Sequence, residues 1–232
     1  MTNKVGAVIV AAGRGSRMGT AVSKQFLLLQ GKPVAVHTLE AFQHHERIGE
    51  IVLVVGPGDV ETCTGWVREY GLSKVKAVIA GGGERQHSVH LGLKELETEW
   101  VMVHDGVRPF VESAEIETCY AQAQSTGASV LAVPVKDTIK QVDAEGMVTA
   151  TPDRRSLWSI QTPQTFRLND LLQAYEAAER DGFLGTDDSS LAERIGIRVS
   201  VAEGSYRNIK LTTPEDLDYA EYILSDRGAN HS

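Results

Sequence analysis

Residues 6–19 read GAVIVAAGRGSRMG, and this stretch decides the fold. An apolar run, Val5–Val10, ends in three small residues, Ala11, Ala12 and Gly13, and then meets Arg14, Gly15 and Arg17. A near-continuous apolar strand is expected where both faces of a sheet are covered. Small residues directly after such a strand let backbone N–H groups approach a phosphate closely. Arginines in the same loop add charge where phosphate charge gathers. The run is too short for a signal sequence and has only Lys4 ahead of it, so it reads as a strand.

The same texture recurs outward from this point. Ile51–Val55, Val75–Ala80, Trp100–His104 and Ser129–Val133 read as strands. Val89, Gly92, Leu93 and Leu96 share one helical face, as do Ile116, Cys119, Tyr120 and Ala123. Ser88 and Ser113 are the expected N-caps. Alternating strands and helices predict a Rossmann-like, three-layer α/β fold with a mostly parallel sheet. The order breaks over residues 134–166, where Lys136–Gln141 and Met147–Thr151 flank the turn Asp143–Gly146 as a hairpin. Such a hairpin either packs on a second chain, as a dimerisation arm, or folds down onto its own domain. Helical texture returns at Leu168–Ala178 and Pro214–Leu224, with a strand at Val199–Ala202. The expected organisation is one domain over residues 1–232, with 134–158 as the protruding arm.

Composition narrows the class. The chain has 232 residues, 42% of them hydrophobic, and a formal charge of −8. That charge argues against a dedicated nucleic-acid binder, which needs a basic face. No apolar run reaches the ~18 residues of a membrane span. Cys63 and Cys119 share no short spacing and fall in helical patterns, so they read as core residues of a cytoplasmic protein. His87 and His90 lack a third ligand nearby and read as solvent-facing. Asp187 and Asp188 read as helix N-terminal acids. The charge is uneven: Lys4, Arg14, Arg17, Lys24 and Lys32 precede the first acid, Glu40. A basic island on an acidic chain suggests a local anion site.

The loop itself admits three readings. A dinucleotide fingerprint G-x-G-x-x-G fits Gly13 and Gly15 but meets Met18 at its third glycine, and Glu40 lies in a helical pattern. A P-loop fails at the same methionine. The third reading is a loop that grips a nucleoside triphosphate with arginine and then with Lys24. Trp100–His104 leads into Asp105, and a strand-end carboxylate with phosphate oxygens and water is an ordinary Mg²⁺ site.

Six blocks stand in order along the chain: AAGRGSRMG, SKQF, GGGERQHSV, VHDGVRP, DRRSLWSIQTPQTF and NIKLTTPEDL. Together they resemble the 2-C-methyl-D-erythritol 4-phosphate cytidylyltransferase family of nucleotidyltransferases over roughly residues 5–224. The resemblance implies a nucleotide-diphospho-sugar transferase fold and attack of an acceptor phosphate on the α-phosphorus of CTP. It implies that Arg17 and Lys24 stabilise the transition state. Ala11, Ala12, Gly13, Arg14 and Gly15 would hold the nucleotide, with cytosine against Gly82 and Gly83 and with Ser88, Asp105 and Gly106 beside it. Asp105 would carry the divalent cation. Arg154 and Lys210 would aim the acceptor phosphate of 2-C-methyl-D-erythritol 4-phosphate, aided by Arg108, Thr138, Thr162 and Thr186. The arm would reach the neighbouring subunit of a homodimer. Gly83 departs from the aspartate frequent in the family, and Val107 from a small residue. Ribitol 5-phosphate or another polyol phosphate as acceptor stays open, as do an NAD-dependent oxidoreductase and a regulatory nucleotide-binding module.

Overall fold

The computed structural model describes residues 4–13 and 24–229, with Lys24 and residues 227–229 described by their backbone alone. A seven-stranded sheet forms its centre. The strands of this sheet are β1 (Val5–Ala11), β4 (Ile48–Val55), β5 (Val75–Ala80), β6 (Trp100–Asp105), β7 (Ala128–Pro134), β10 (Trp158–Arg167) and β11 (Val199–Glu203). Two short antiparallel pairs stand apart: β2 (Leu28–Leu29) with β3 (Lys32–Pro33), and β8 (Gln141–Val142) with β9 (Val148–Ala150). The helices are α1 (Val34–Gln43), α2 (Val60–Glu69), α3 (Arg85–Lys94), α4 (Ser113–Thr126), α5 (Leu168–Arg180), α6 (Asp188–Arg194) and α7 (Pro214–Ala229). The strand order is β11-β7-β10-β6-β1-β4-β5, and β10 alone in this sheet runs antiparallel to its neighbours. The mostly parallel α/β sheet is therefore the observed fold. Among the described residues no helix is long and apolar enough to cross a membrane.

Two-residue alternation divides the apolar strands between two cores. Ala7, Ile9, Leu53, Val55 and Met102 join Leu39 and Phe42 of α1 and Ile116 and Tyr120 of α4 on one side. Val8, Val52, Val54, Val101 and Val103 join Val89 and Leu93 of α3 and Leu171 and Tyr175 of α5 on the other. Covering both faces explains why these strands read as continuous apolar runs. Gly92 lets α3 lie close on the sheet, since a Cβ there would stand 2.7 Å from Val8 Cγ1. From β1 the chain moves outward through β4 and β5, then returns to β6 on the opposite side of β1. That reversal opens a crevice at the carboxyl ends of β1 and β6, the position where open α/β sheets bind ligands.

Several expectations need correction. Ser88 caps no helix: α3 begins at Arg85, after Glu84, and Ser88 lies in its first turns with its hydroxyl bonded to the Glu84 carbonyl. Ser113 is the first residue of α4, which is capped by Glu112 in a reciprocal arrangement with Glu115. His90 is buried rather than solvent-facing, against the ring of Tyr175, whereas His87 is exposed. The sequence reading found no strand over Trp158–Arg167. Yet β10 lies between β6 and β7 and buries Gln161, Thr162, Gln164 and Thr165. Polar side chains tolerate that site because they find partners. Gln164, for example, donates to Asp187 Oδ2 and accepts from the Ser189 N–H.

The predicted hairpin forms with shorter strands, Gln141 facing Ala150 and Val142 facing Val148. No residue from Lys136 to Ile160 is buried, so the hairpin does not fold down onto its own sheet. Val142, Met147 and Val148 are 58%, 66% and 59% exposed. At its root the Tyr206 hydroxyl donates to the Pro134 carbonyl, and the Lys136 ammonium lies 3.4 Å from the Tyr206 ring centroid.

Candidate active site

A cleft of about 1210 Å³ opens at the carboxyl end of the sheet. Ala11, Ala12 and Gly13 after β1 form one wall, Gly81–Gly83 after β5 a second, and Asp105 with Lys210 a third. Buried Gln25, from the SKQF block, and the Gly56–Asp59 turn, which carries no sequence signal, also line the cleft. A Cβ on Gly81 would stand 2.6 Å from both Ala12 Cβ and Ser88 Oγ, so glycine lets the first two walls meet. Ser88 Oγ accepts the Gly82 N–H and donates to the Glu84 carbonyl, both at 3.1 Å, which braces the glycine turn.

Asp105 gathers the charge. Lys210 Nζ stands 2.9 Å from Oδ2, Arg108 Nε 3.4 Å from Oδ2, and Arg85 Nε 3.4 Å from Oδ1. Burial alone would raise the pKa of this carboxyl. Arg85, Lys210 and Arg108 overcome that cost and hold it well below the usual carboxylate range, so it is ionised. Arg85 also forks onto Asp188, through Nη1 and Nη2 at 2.9 and 2.8 Å. Burial disfavours the charge on Arg85, but Asp188 and Asp105 together keep it firmly cationic. Three cations thus gather around Asp105 and Asp188, which puts local positive charge on this wall of the cleft, while Asp59 and Glu84 line it elsewhere. The ionised carboxylate also suits a hard divalent cation whose other ligands are phosphate oxygens and water. Among the described residues no cluster of three His, Cys, Asp or Glu side chains could hold a metal on protein ligands alone.

Behind Asp105 lies a short relay. The Asp105 N–H donates to Thr162 Oγ1 at 3.1 Å. His104 Nε2 faces the Arg108 carbonyl at 3.0 Å, and a carbonyl only accepts, so the proton sits on Nε2. His104 Nδ1 therefore accepts from the Thr162 hydroxyl, at 3.0 Å. Burial lowers the His104 pKa to about 4 and keeps the ring neutral.

The structure draws some of the sequence-predicted residues together and separates others. Ala11, Ala12, Gly13, Gly82, Gly83, Ser88, Asp105 and Lys210 line the cleft. Gly106 sits beside them, its N–H donating to the Val10 carbonyl at 2.8 Å. Arg108 turns inward, with Nη1 donating to the Asn208 carbonyl at 2.7 Å. Thr162 stands behind Asp105 with its hydroxyl occupied. Thr138, Arg154 and Thr186 are exposed and do not line this cleft; Arg154 Nη1 donates to the Lys136 carbonyl within the arm. Arg14, Gly15, Arg17 and the Lys24 side chain lie outside the described residues. Two members of the basic island serve elsewhere: Lys4 donates to the Glu46 carbonyl, and Lys32 pairs with Glu40 at 2.7 Å.

The Arg85–Asp188 fork is the functional feature that sequence reasoning missed. Arg85 stood inside the GGGERQHSV block, but its partner lies 103 residues away and nothing in the spacing links them.

Comparison with known proteins agrees with this geometry. The family described as IspD, 2-C-methyl-D-erythritol 4-phosphate cytidylyltransferase, matches residues 5–226. A protein of that name from Geobacillus kaustophilus is 51% identical over 96% of this chain and 98% of its own. One from Alkaliphilus metalliredigens is 48% identical over 98% and 95%. The crystal structure of 4-diphosphocytidyl-2C-methyl-D-erythritol synthase from Anaerococcus prevotii superposes with a TM-score of 0.85 at 31% identity, covering 97% of each chain. A match of this length and identity means that the chain belongs to the 2-C-methyl-D-erythritol 4-phosphate cytidylyltransferase family.

Proposed function

We propose that this enzyme joins CTP and 2-C-methyl-D-erythritol 4-phosphate, giving 4-diphosphocytidyl-2-C-methyl-D-erythritol and pyrophosphate for isoprenoid biosynthesis. The observation that carries this reading is the charged cluster of Asp105, Lys210 and Arg85 facing two walls of small residues, Ala11–Gly13 and Gly81–Gly83, in a chain of this family. The obstacle to the reaction is charge, because an anionic phosphate must approach a polyanion. Catalysis then rests on positioning and electrostatic stabilisation, with no covalent protein intermediate.

Each residue has a role in that scheme. Backbone at Ala11, Ala12 and Gly13, continuing through Arg14 and Gly15, holds the phosphates. Cytosine lies against Gly82 and Gly83, whose turn Ser88 keeps in shape. Arg17 and Lys24 stabilise charge building on the α-phosphate. Lys210 holds the acceptor phosphate in line for attack. Asp105 holds Mg²⁺, which when bound withdraws charge from the phosphates. Arg154 and Thr138 sit on an exposed apolar hairpin, which suits a homodimer in which the arm completes the partner's site. Thr186 and Arg108 serve the acceptor, Arg108 from behind Asp105 and Thr186 from outside the described cleft. Two buried, unpaired thiols, Cys63 and Cys119, suit a reducing cytoplasm.

The test is pyrophosphate release from CTP and Mg²⁺ with either acceptor. Release with 2-C-methyl-D-erythritol 4-phosphate and not with ribitol 5-phosphate is expected. Release with ribitol 5-phosphate alone overturns the acceptor assignment.

A further inference from the structure

Arg85 stands at the start of α3 with its guanidinium between two carboxylates. Its Nη1 and Nη2 donate end-on to Oδ1 and Oδ2 of Asp188, at 2.9 and 2.8 Å. Nε alone turns to Asp105 Oδ1, at 3.4 Å. Asp188 is fully buried, and the buried hydroxyl of Tyr175 donates to the same Oδ1 that takes Nη1. Asp188 is thus fixed from two sides, and it fixes the arginine in turn.

The consequence lies at Asp105. A guanidinium binds a carboxylate best through two parallel N–H bonds. An unrestrained Arg85, already within 3.4 Å, would turn such a fork onto Asp105 and fill the oxygen that faces it. We propose that Asp188 is a positioning residue that holds the Arg85 fork away from Asp105, so that Oδ1, which takes only the 3.4 Å contact from Nε while Lys210 and Arg108 sit on Oδ2, can turn to a divalent cation shared with the nucleotide phosphates. The inference rests on the reading of Asp105 as the metal ligand. It assigns α6 a part in the site that none of its side chains plays by touching substrate.

The experiment measures CTP binding calorimetrically, without acceptor, across a range of Mg²⁺ concentrations. The wild-type chain should require Mg²⁺ for tight binding, and Asp105→Asn should lose the tightening that Mg²⁺ gives. If wild-type binding is independent of Mg²⁺, the metal reading fails and the inference falls with it. Asp188→Asn, which frees Arg85 to compete for Asp105, should raise the half-saturating Mg²⁺ concentration about tenfold, the low end of what disturbing a metal ligand's surroundings costs. Tyr175→Phe disturbs the same core but leaves the fork in place, so it should stay within about twofold of wild type. The double variant Asp188→Asn/Arg85→Gln, which removes the competing fork, should return toward the wild-type value. A folded Asp188→Asn protein with unchanged Mg²⁺ dependence overturns the inference while leaving the metal reading intact. Should Asp188→Asn fail to fold, Arg85→Gln reads the same geometry from the other side. It should lower the half-saturating Mg²⁺ concentration or leave it unchanged, and a rise overturns the inference.

Discussion

Lys210 Nζ lies 2.9 Å from Asp105 Oδ2, although one residue ends β6 and the other sits in the connection before α7. That connection is clamped at several points. The Leu211 N–H donates to the Val107 carbonyl at 2.9 Å, and Asn208 Nδ2 donates to the Thr162 carbonyl at 2.9 Å. Leu211 also packs with Phe110 and Ile223 in a third apolar cluster. The lysine is therefore presented by a rigid support, while 41% of its side chain remains exposed to meet an anion.

Lys210→Ala should accordingly cost activity rather than stability. Removing a preorganised charge from developing phosphate charge is expected to lower kcat/KM about 10²- to 10³-fold. Arg85 and Arg108 stay beside the buried Asp105 when Lys210 is lost, so the cost to folding should be small beside the loss of activity. Steady-state kinetics beside thermal melting check this. A variant that unfolds while keeping wild-type turnover would place Lys210 in the structure and not in the reaction.

Thr162→Val should act through Asp105. The substitution preserves shape but removes the acceptor of the Asp105 N–H and the donor to His104 Nδ1. Two buried polar groups then lose their partner, at a cost of about 1–3 kcal/mol each. Thr162→Ser, which keeps the hydroxyl, should recover most of the loss. Chemical denaturation of the three proteins distinguishes this from a role in acceptor binding, which would change KM and leave stability alone.

Acid should destabilise the fold through His104 well before Asp105 is protonated. Burial holds its folded pKa at about 4, whereas the unfolded ring titrates near its ordinary value. Between those values the unfolded chain binds the extra proton, so stability is present above pH ~6.5 and declines as pH falls, by about 3 kcal/mol in all. His37 and His90, also lowered by burial, add in the same direction. Asp105 behaves oppositely in range: its depressed pKa keeps its contribution intact until strongly acidic pH. A His104→Gln variant should show a visibly flatter stability profile between pH 6.5 and 4. An unchanged slope would remove His104 from the account.

Mixing two inactive variants should restore turnover if the arm serves a partner's site. Lys210→Ala disables the site on its own subunit, and Arg154→Ala would disable the neighbour's. A hybrid dimer then holds one intact site, so random exchange should recover about a quarter of wild-type activity. No recovery from fully exchanged subunits would assign Arg154 to its own cleft.

Much of this protein was written locally in its chain. The stretch Val5–Gly13 announced a strand covered on both faces and a ligand loop after it. The structure shows why: Ala7 and Ile9 enter one core, and Val8 enters the other. The apolar runs of β4, β5, β6 and β7 were legible for the same reason, since period-two burial is a property of neighbouring residues. Asp105 at a strand end, and the glycines after β5, could likewise be found without a structure. What depended on distant residues could not. The polar strand β10 has no apolar signature, because its buried amides and hydroxyls are satisfied by groups from α6, the 204–208 loop and β6. At α4 the cap moved from Ser113 to Glu112 because Glu112 and Glu115 bond each other's backbone N–H groups, whereas Glu84 precedes α3 with no side-chain cap at all. Arg85 and Asp188, 103 residues apart, became a pair only when α3 and α6 packed on the same face of the sheet. Sequence determined which residues could form strands, turns and charged loops, since those follow from local sterics and periodicity. Tertiary structure decided which charges meet, since that depends on where folding brings distant parts of the chain together.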